Sequence, residues 1–223
     1  MSPTPERLKR MSTLTKEDLL TAYAAGTTSP GLSLLCAAHL ALAPESRGFV
    51  GAVEEIGGAL LADEPETGVA PMDFETLLAR IDAEVDHARK GAAGERRGGL
   101  APAPIERALG MPLEALSWKF RLPGISEHVL EAFEDEKVSL LKARPGRTVP
   151  SHTHSGLEAT LVLQGALKDG NRVLQAGEIS IAGPEDDHHP EIVGNETCYC
   201  LIVLDGALRF TGRFGRALNL FAE

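Results

Sequence analysis

Residues 146–165 read G-R-T-V-P-S-H-T-H-S-G-L-E-A-T-L-V-L-Q-G and hold two histidines and a glutamate between glycines. His152 and His154 lie two residues apart, so on a β-strand both side chains face the same side. Glu158 follows a turn that Gly156 loosens, and it can return to the same cavity. Imidazole nitrogens with one carboxylate oxygen suit a divalent ion such as Zn²⁺ or Fe²⁺. The stretch predicts the wall of a metal site in a small β-barrel, with a solvated His-x-His pair as the alternative.

The chain around this stretch, over residues 105–223, has the period of β-strands. Leu116, Trp118 and Phe120 alternate with polar residues, and short apolar runs bounded by Gly, Asp and Asn follow. Eight or more short strands in about 120 residues, without a helix-length segment between them, indicate an antiparallel sandwich or jelly roll. Residues 168–171, Lys-Asp-Gly-Asn, predict a hairpin turn within it.

The first part of the chain, residues 1–90, has a helical period instead. The helices predicted there are one that ends near Gly26, one that ends before Pro44, one over residues 48–62 and one that begins after Asp73. The sequence therefore predicts an α+β protein in which a small N-terminal helical bundle precedes a C-terminal antiparallel β-barrel.

The segment that joins the two parts is residues 91–104, G-A-A-G-E-R-R-G-G-L-A-P-A-P. Gly, Ala, Arg and Pro in this mixture offer little apolar surface to bury, which is typical of a flexible linker. The domain boundary is therefore predicted here, between a helical domain at 1–90 and a barrel domain at 105–223.

Composition argues against several classes of protein. The formal net charge of −10 disfavours direct nucleic-acid binding, because affinity for phosphates comes from Lys and Arg. No stretch approaches the roughly 20 apolar residues of a membrane span, and the first residues lack the apolar core of a signal peptide. We therefore expect a cytoplasmic protein. The odd count of cysteines, Cys36, Cys198 and Cys200, argues against a disulfide scaffold.

The histidine stretch resembles the first motif of the cupin family, which is Gly, five residues, His-x-His, three or four residues, Glu, six residues, Gly. Gly146, His152, His154, Glu158 and Gly165 meet every spacing. The second cupin motif is met in part: Gly177 and His188 keep its outer spacing, whereas Gly183, Glu185 and Ile192 replace its proline, glycine and asparagine. The resemblance implies a three-His, one-Glu site for one divalent ion, with zinc favoured over iron, manganese or nickel, and its ligands would be His152, His154, Glu158 and His188.

Only one of the adjacent residues His188 and His189 can face the barrel interior. The spacing from Gly177 in the second cupin motif selects His188. His189 is then expected to be solvated or to lie behind the ligands with Asp186 or Asp187, where a carboxylate could orient a ligand imidazole.

A second resemblance covers nearly the whole chain. Residues 19–27 (L-L-T-A-Y-A-A-G-T), 32–40 (L-S-L-L-C-A-A-H-L) and 154–165 are similar to ChrR-type anti-sigma factors. The resemblance implies a helical domain that holds an extracytoplasmic-function sigma factor. It also implies a cupin domain that carries a metal and responds to oxidative signals.

The N-terminal zinc site of that family has no counterpart in this chain. The family uses an early His and then His-x-x-x-Cys-x-x-Cys, but Ala43 and Ser46 occupy the cysteine positions and no histidine precedes His39. One imidazole cannot build a four-ligand zinc site, so we predict no metal in the helical domain.

Without zinc, the helices need another source of stability. We expect the helices either to fold on a partner or to pack on one another or on a second copy of the chain. The packing residues would be Leu20, Leu35, Leu40, Val53, Ile56 and those of the fourth helix. Cys36 is predicted to be a small core residue. His39 is predicted to be a satisfied or half-exposed helix residue.

Three functions follow from these features. The leading hypothesis is a transcriptional regulator of the anti-sigma type, in which the cupin metal senses a ligand or an oxidant. Cys198 and Cys200 could add thiol chemistry, although buried small residues of a strand are the commoner case. The second hypothesis is a metal-dependent cupin enzyme of the dioxygenase or isomerase type, because such an ion can activate water or dioxygen. The third is an interaction module whose helical half forms a homodimer.

Overall fold

A computed structural model describes residues 14–62, 74–79, 100–133 and 135–212. Helices come first and antiparallel strands follow, which confirms the predicted α+β architecture. The helices are α1 (Lys16–Ala24), α2 (Pro30–Leu42), α3 (Arg47–Ala62), α4 (74–79) and α5 (Ala103–Leu109), with 3₁₀ turns at Pro44–Ser46 and Leu113–Ala115. Among the described residues, no helix has the length and apolarity needed to cross a membrane.

The first helices begin and end where local chemistry dictates. Thr15 and Asp18 form a reciprocal capping box at the start of α1. Ser29 caps α2, with Pro30 at its first position, where the missing N–H costs nothing.

The fourth predicted helix is described only over 74–79, and its remainder lies outside the described residues, as do residues 91–99 of the predicted linker.

The strands form three antiparallel sheets. Their bounds are β1 (Lys119–Leu122), β2 (Ile125–Val129), β3 (Lys137–Ala143), β4 (His152–His154), β5 (Glu158–Gln164), β6 (Ala166–Asp169), β7 (Arg172–Gln175), β8 (Ile179–Ala182), β9 (Glu191–Val193), β10 (Cys198–Leu204) and β11 (Leu208–Phe210). One sheet has the order β1-β2-β3-β10-β5-β8, another β7-β6-β9, and the third pairs β11 with β4. The predicted hairpin joins β6 to β7, and Gly170 takes the positive φ of 56° that this turn needs.

Two apolar cores lie on opposite faces of the six-stranded sheet. Inward-facing residues such as Val162 and Cys200 pack with Leu167, Leu174 and Ile192 of the three-stranded sheet to fill the barrel interior. The outward-facing positions of β5 and β10 carry Ala159, Leu161, Leu163, Leu201 and Val203, which are also buried. These central strands are therefore apolar on both faces.

The helices cover the outer face of the barrel. Leu20, Leu35 and Cys36 belong to the same core as Leu161 and Leu201, and α2 lies against β5 and β10. In the described part of the chain, α1 and α2 are thus stabilised by a core that they share with the barrel. Ile56 does not pack within the described part of the chain, because its side chain is 63% exposed there.

Candidate metal centre

The four side chains predicted to bind a metal lie together at one end of the barrel. His152 and His154 point the same way from β4, and Glu158 is the first residue of β5. His188 precedes β9 and is held by a β-bridge to His152. One ligand atom from each of the four residues lies within 4.8 Å of all the others.

The distances within this cluster fit a divalent ion. Nε2 of His154 lies 3.1 Å from Nε2 of His188. Ligand atoms about 2.0–2.1 Å from a metal are roughly 2.9–3.4 Å apart in octahedral or tetrahedral geometry. The Glu158 carboxylate lies 3.8 Å from Nε2 of each of the three histidines, so a contraction of about half an ångström would complete the shell.

The cluster is buried, which raises the cost of leaving its polar atoms unpaired. His152 is 2% exposed and Glu158 6%. Burial alone would raise the pKa of Glu158, but the three neighbouring imidazoles hold this pKa below its usual value. The site therefore keeps an ionised carboxylate among imidazoles, a donor set that can hold a cation.

The outer ring nitrogens of the three histidines have different surroundings. Nδ1 of His152 lies 2.8 Å from the carbonyl of Pro150, and Nδ1 of His188 lies 3.0 Å from the Asp169 carboxylate. Nδ1 of His154 is buried with no hydrogen bond of normal geometry among the described residues, because its interaction with the Gly183 backbone falls short of one. Where Nδ1 donates, Nε2 keeps its lone pair for a metal.

The carboxylate that contacts Nδ1 of His188 belongs to Asp169, whereas the sequence indicated Asp186 or Asp187. Asp186 instead accepts from the backbone N–H of Gly183 at 2.7 Å, and Asp187 accepts from the Thr211 hydroxyl at 2.9 Å. His189 is exposed, in agreement with its predicted solvation. Sequence reasoning missed Asp169 because an aspartate beside a hairpin turn usually faces water. Its approach to His188 depends on long-range folding.

The pKa values of His154 and His188 shift in opposite directions, although burial lowers both. Burial lowers the pKa of His154 and outweighs the neighbouring Glu158 carboxylate. Burial also disfavours the charged form of His188, but Asp169 and Glu158 outweigh it and raise the pKa of this ring. The neighbouring carboxylates therefore favour the charged form of His188 more strongly than that of His154.

His39, in the helical layer, is satisfied and buried. Nδ1 lies 2.6 Å from the carbonyl of Gly177, and Nε2 lies 2.9 Å from the Ser46 hydroxyl. Nδ1–H therefore donates to the barrel backbone, and Nε2 accepts from Ser46. Cys36 is fully buried, as predicted, and burial raises the pKa of its thiol to about 12.

Cys198 and Cys200 both face the barrel interior, with their Sγ atoms 3.6 Å apart. The pairing register of β10 with β5 shifts between Tyr199 and Cys200, as at a β-bulge. The hydrogen bond with Cys198, together with burial, raises the pKa of Cys200. Both thiols pack as small apolar residues of the interior, as the sequence indicates.

The fold and the site together define a cupin-domain protein that carries an N-terminal helical layer. Residues 107–208 match the family model described as the ChrR cupin-like domain. The chain is also 36% identical over 203 residues to the anti-sigma-E factor ChrR of Cereibacter sphaeroides, covering 91% of this chain and 94% of that protein. It therefore belongs to the ChrR family of anti-sigma factors.

A solved structure resembles most of the fold. The crystal structure of Rhodobacter sphaeroides SigE in complex with the anti-sigma ChrR matches with a TM-score of 0.72 and 34% identity. The match covers 86% of this chain and 97% of that one. The similarity thus extends over both the helices and the barrel.

Proposed function

We propose that this protein is an anti-sigma factor whose helices bind an extracytoplasmic-function sigma factor and whose barrel senses a small ligand or oxidant. The observation that carries the proposal is an apolar helix face left exposed in a chain of this family. The similar ChrR chain forms a complex with SigE. A contiguous exposed apolar surface on a soluble fold marks a site of interaction.

The exposed face lies on α3. Phe49, Ile56 and Leu60 recur at helical spacing and form one stripe, which we call the α3 stripe. Ile56 and Leu60 are 63% and 67% exposed, whereas Val50, on another side of the helix, is buried. An amphipathic helix with such a stripe suits a groove on a partner protein.

Sigma-factor binding is tested with a double substitution in the α3 stripe, Ile56→Asp with Leu60→Asp. The full chain is titrated with purified extracytoplasmic-function sigma factors of its host by calorimetry. We expect the double variant to lose affinity by about 30-fold or more, as at interface hot spots. Phe120→Asp is the matched control, because Phe120 is 71% exposed on β1 of the barrel. Unchanged binding by a folded double variant would contradict the proposal.

We propose that His152, His154, Glu158 and His188 hold one divalent ion, with zinc favoured over iron, manganese and nickel. When bound, the ion would supply a Lewis-acidic centre that could bind a small ligand. The His188 side chain is the most exposed of the four at 12%, so the signal must be small and approach near this residue.

The route from the site to the helices runs through β5. Glu158 begins this strand on the inner face, while Ala159 and Leu161 face the helical core. A change in the position of Glu158 would therefore shift residues that support α2. We propose that this shift changes the balance between bound and free sigma factor.

The helical layer is proposed to hold no zinc. Both ring nitrogens of His39 are engaged, and Ala43 offers no ligand atom. Elemental analysis tests both metal proposals: the wild type and His39→Ala should each contain one ion per chain, and His152→Ala should contain much less. A second ion that disappears in His39→Ala would show that the helical layer binds metal.

A further inference from the structure

We propose that Asp169 is a positioning residue of the metal centre, which orients the ring of His188 so that Nε2 faces the other three ligands. The inference rests on the metal binding proposed above. It assigns a role to a residue whose place in the sequence gives no sign of one.

Asp169 is built into its contact with His188. Its carboxylate oxygens lie 3.2 Å and 3.0 Å from Nδ1 of the ring. The hydroxyl of Ser180 donates to the nearer oxygen at 3.1 Å. The side chain is 13% exposed, so the interaction is only weakly screened by water.

Backbone pairing does not by itself orient the ring of His188. His152 and His154 lie on β4, and Glu158 lies on β5, so strand pairing holds the backbone of these three residues. His188 lies between named strands, tied to the sheet by its bridge with His152. A side chain on such a segment can turn about its own bonds, and the hydrogen bond to Asp169 removes that freedom.

Asp169 also supplies charge. Of the three ligand rings, that of His188 is the one whose outer nitrogen contacts a carboxylate among the described residues; the others face backbone. A carboxylate behind a ligand histidine increases its basicity and typically improves metal affinity by 10–100-fold. Together with Glu158, it would balance the two positive charges of a divalent ion.

The test compares Asp169→Ala, Asp169→Asn and the control Asp187→Asn. Asp187 is next to His188 in sequence but bonds to Thr211 instead. Zn²⁺ affinity is measured on the full chain by competition with a chromophoric chelator, and the absorption spectrum of the Co²⁺ form reports the coordination geometry. We expect Asp169→Ala to bind Zn²⁺ about 10–100-fold more weakly with an altered Co²⁺ spectrum. Asp169→Asn keeps an acceptor and should lose less, and Asp187→Asn should match the wild type.

The outcomes separate the two proposals. If the wild-type chain fails to bind stoichiometric Zn²⁺, the metal site and the role of Asp169 both fall. If the wild type binds and Asp169→Ala binds equally well with an unchanged Co²⁺ spectrum, the role of Asp169 alone is overturned. If Asp169→Ala fails to fold, the nearly isosteric Asp169→Asn takes its place. Its Zn²⁺ affinity is then compared with that of Asp187→Asn, and equal affinities would overturn the role of Asp169.

Discussion

His39 links the helical layer to the barrel through a single side chain. Its two hydrogen bonds reach Gly177 and Ser46; in the neutral ring, Nδ1–H donates to the Gly177 carbonyl and Nε2 accepts from the Ser46 hydroxyl. Burial lowers the pKa of His39 below its usual value of 6.5, and the charge of Lys16 adds to this while Glu45 opposes it. Protonation therefore disfavours the folded state. The contribution of His39 to stability is complete above pH 6.5 and declines as the pH falls towards the lowered pKa.

The pH dependence of His39 is tested by comparing the wild type with His39→Gln in urea unfolding at about pH 7.5 and about pH 5.5. The other histidines are common to both proteins, so the difference between the two unfolding free energies isolates His39. At the higher pH we expect the wild type to be more stable than His39→Gln. At the lower pH the difference between their unfolding free energies should be smaller. A gap that is constant or wider at the lower pH would contradict this sign.

The sequence predicted the site residues that short spacings along the chain bring together. The pair on β4 and Glu158 could be found because one strand and one turn bring them together. Asp169 could not, because its contact with His188 depends on how the β6–β7 hairpin folds over the site. Gly156 was expected to loosen a turn. In the structure, position 156 requires glycine for a steric reason, because a Cβ there would lie 1.8 Å from the Asp205 carbonyl oxygen.

The orientation of α2 depends on a carboxylate from the barrel. Glu136 accepts hydrogen bonds from the Ser29 hydroxyl, at 2.6 Å, and from the backbone N–H of Gly31. Free N–H groups and the positive end of the helix dipole both favour a carboxylate here. A side chain more than 100 residues away in sequence thus completes the N-terminal cap, and no local pattern could have predicted it.

Removing this cap should weaken the contact between α2 and the barrel. We expect Glu136→Ala to lower the free energy of unfolding by about 1 kcal/mol, the usual cost of losing an N-cap interaction. The loss should fall in high salt, because part of it is electrostatic. Glu131→Ala, which replaces an exposed carboxylate of the same barrel, is the control and should be nearly neutral. Equal unfolding free energies for the two variants would show that the cap contributes nothing.

For the central strands, the sequence pattern predicts a strand but not what packs against each of its faces. Residues 159–163, A-T-L-V-L, are one of the short apolar runs that predict strands of the sandwich. Their burial on both faces, one against the barrel interior and one against helices, follows from tertiary packing. A near-continuous apolar run is typical of such a strand, but it does not say what covers the second face.

At the scale of the molecule, the helices and the barrel share one apolar core among the residues that the structure describes. Leu20 and Leu35 pack in the same cluster as Leu161 and Leu201. The sequence predicted separate helical and barrel parts joined by a linker. The change of hydrophobic period and the Gly-rich linker can be recognised in short stretches of sequence. The shared core depends on which faces of the helices and of the barrel sheet meet, and this is decided by the tertiary fold.

The shared core predicts that metal binding in the barrel stabilises the helices as well. A ligand at 100 times its dissociation constant stabilises the folded state by about 2.7 kcal/mol, and every element that unfolds with the site gains this protection. Hydrogen exchange of the full chain, with and without Zn²⁺, measures it element by element. We expect exchange to slow in α2 as well as in β5, because Leu35 and Leu161 belong to one core.

Two variants make this comparison specific. In His152→Ala, which lacks a proposed ligand, Zn²⁺ should leave exchange unchanged throughout. In Leu35→Ala, a cavity under α2 should weaken the coupling, so that Zn²⁺ still protects β5 but protects α2 less. Ile56→Ala removes an exposed side chain of α3 and should retain the wild-type response. Protection confined to the barrel in the wild type would mean that the helices open independently of the proposed metal site, and the proposed signal at His188 would then need another route to the α3 stripe.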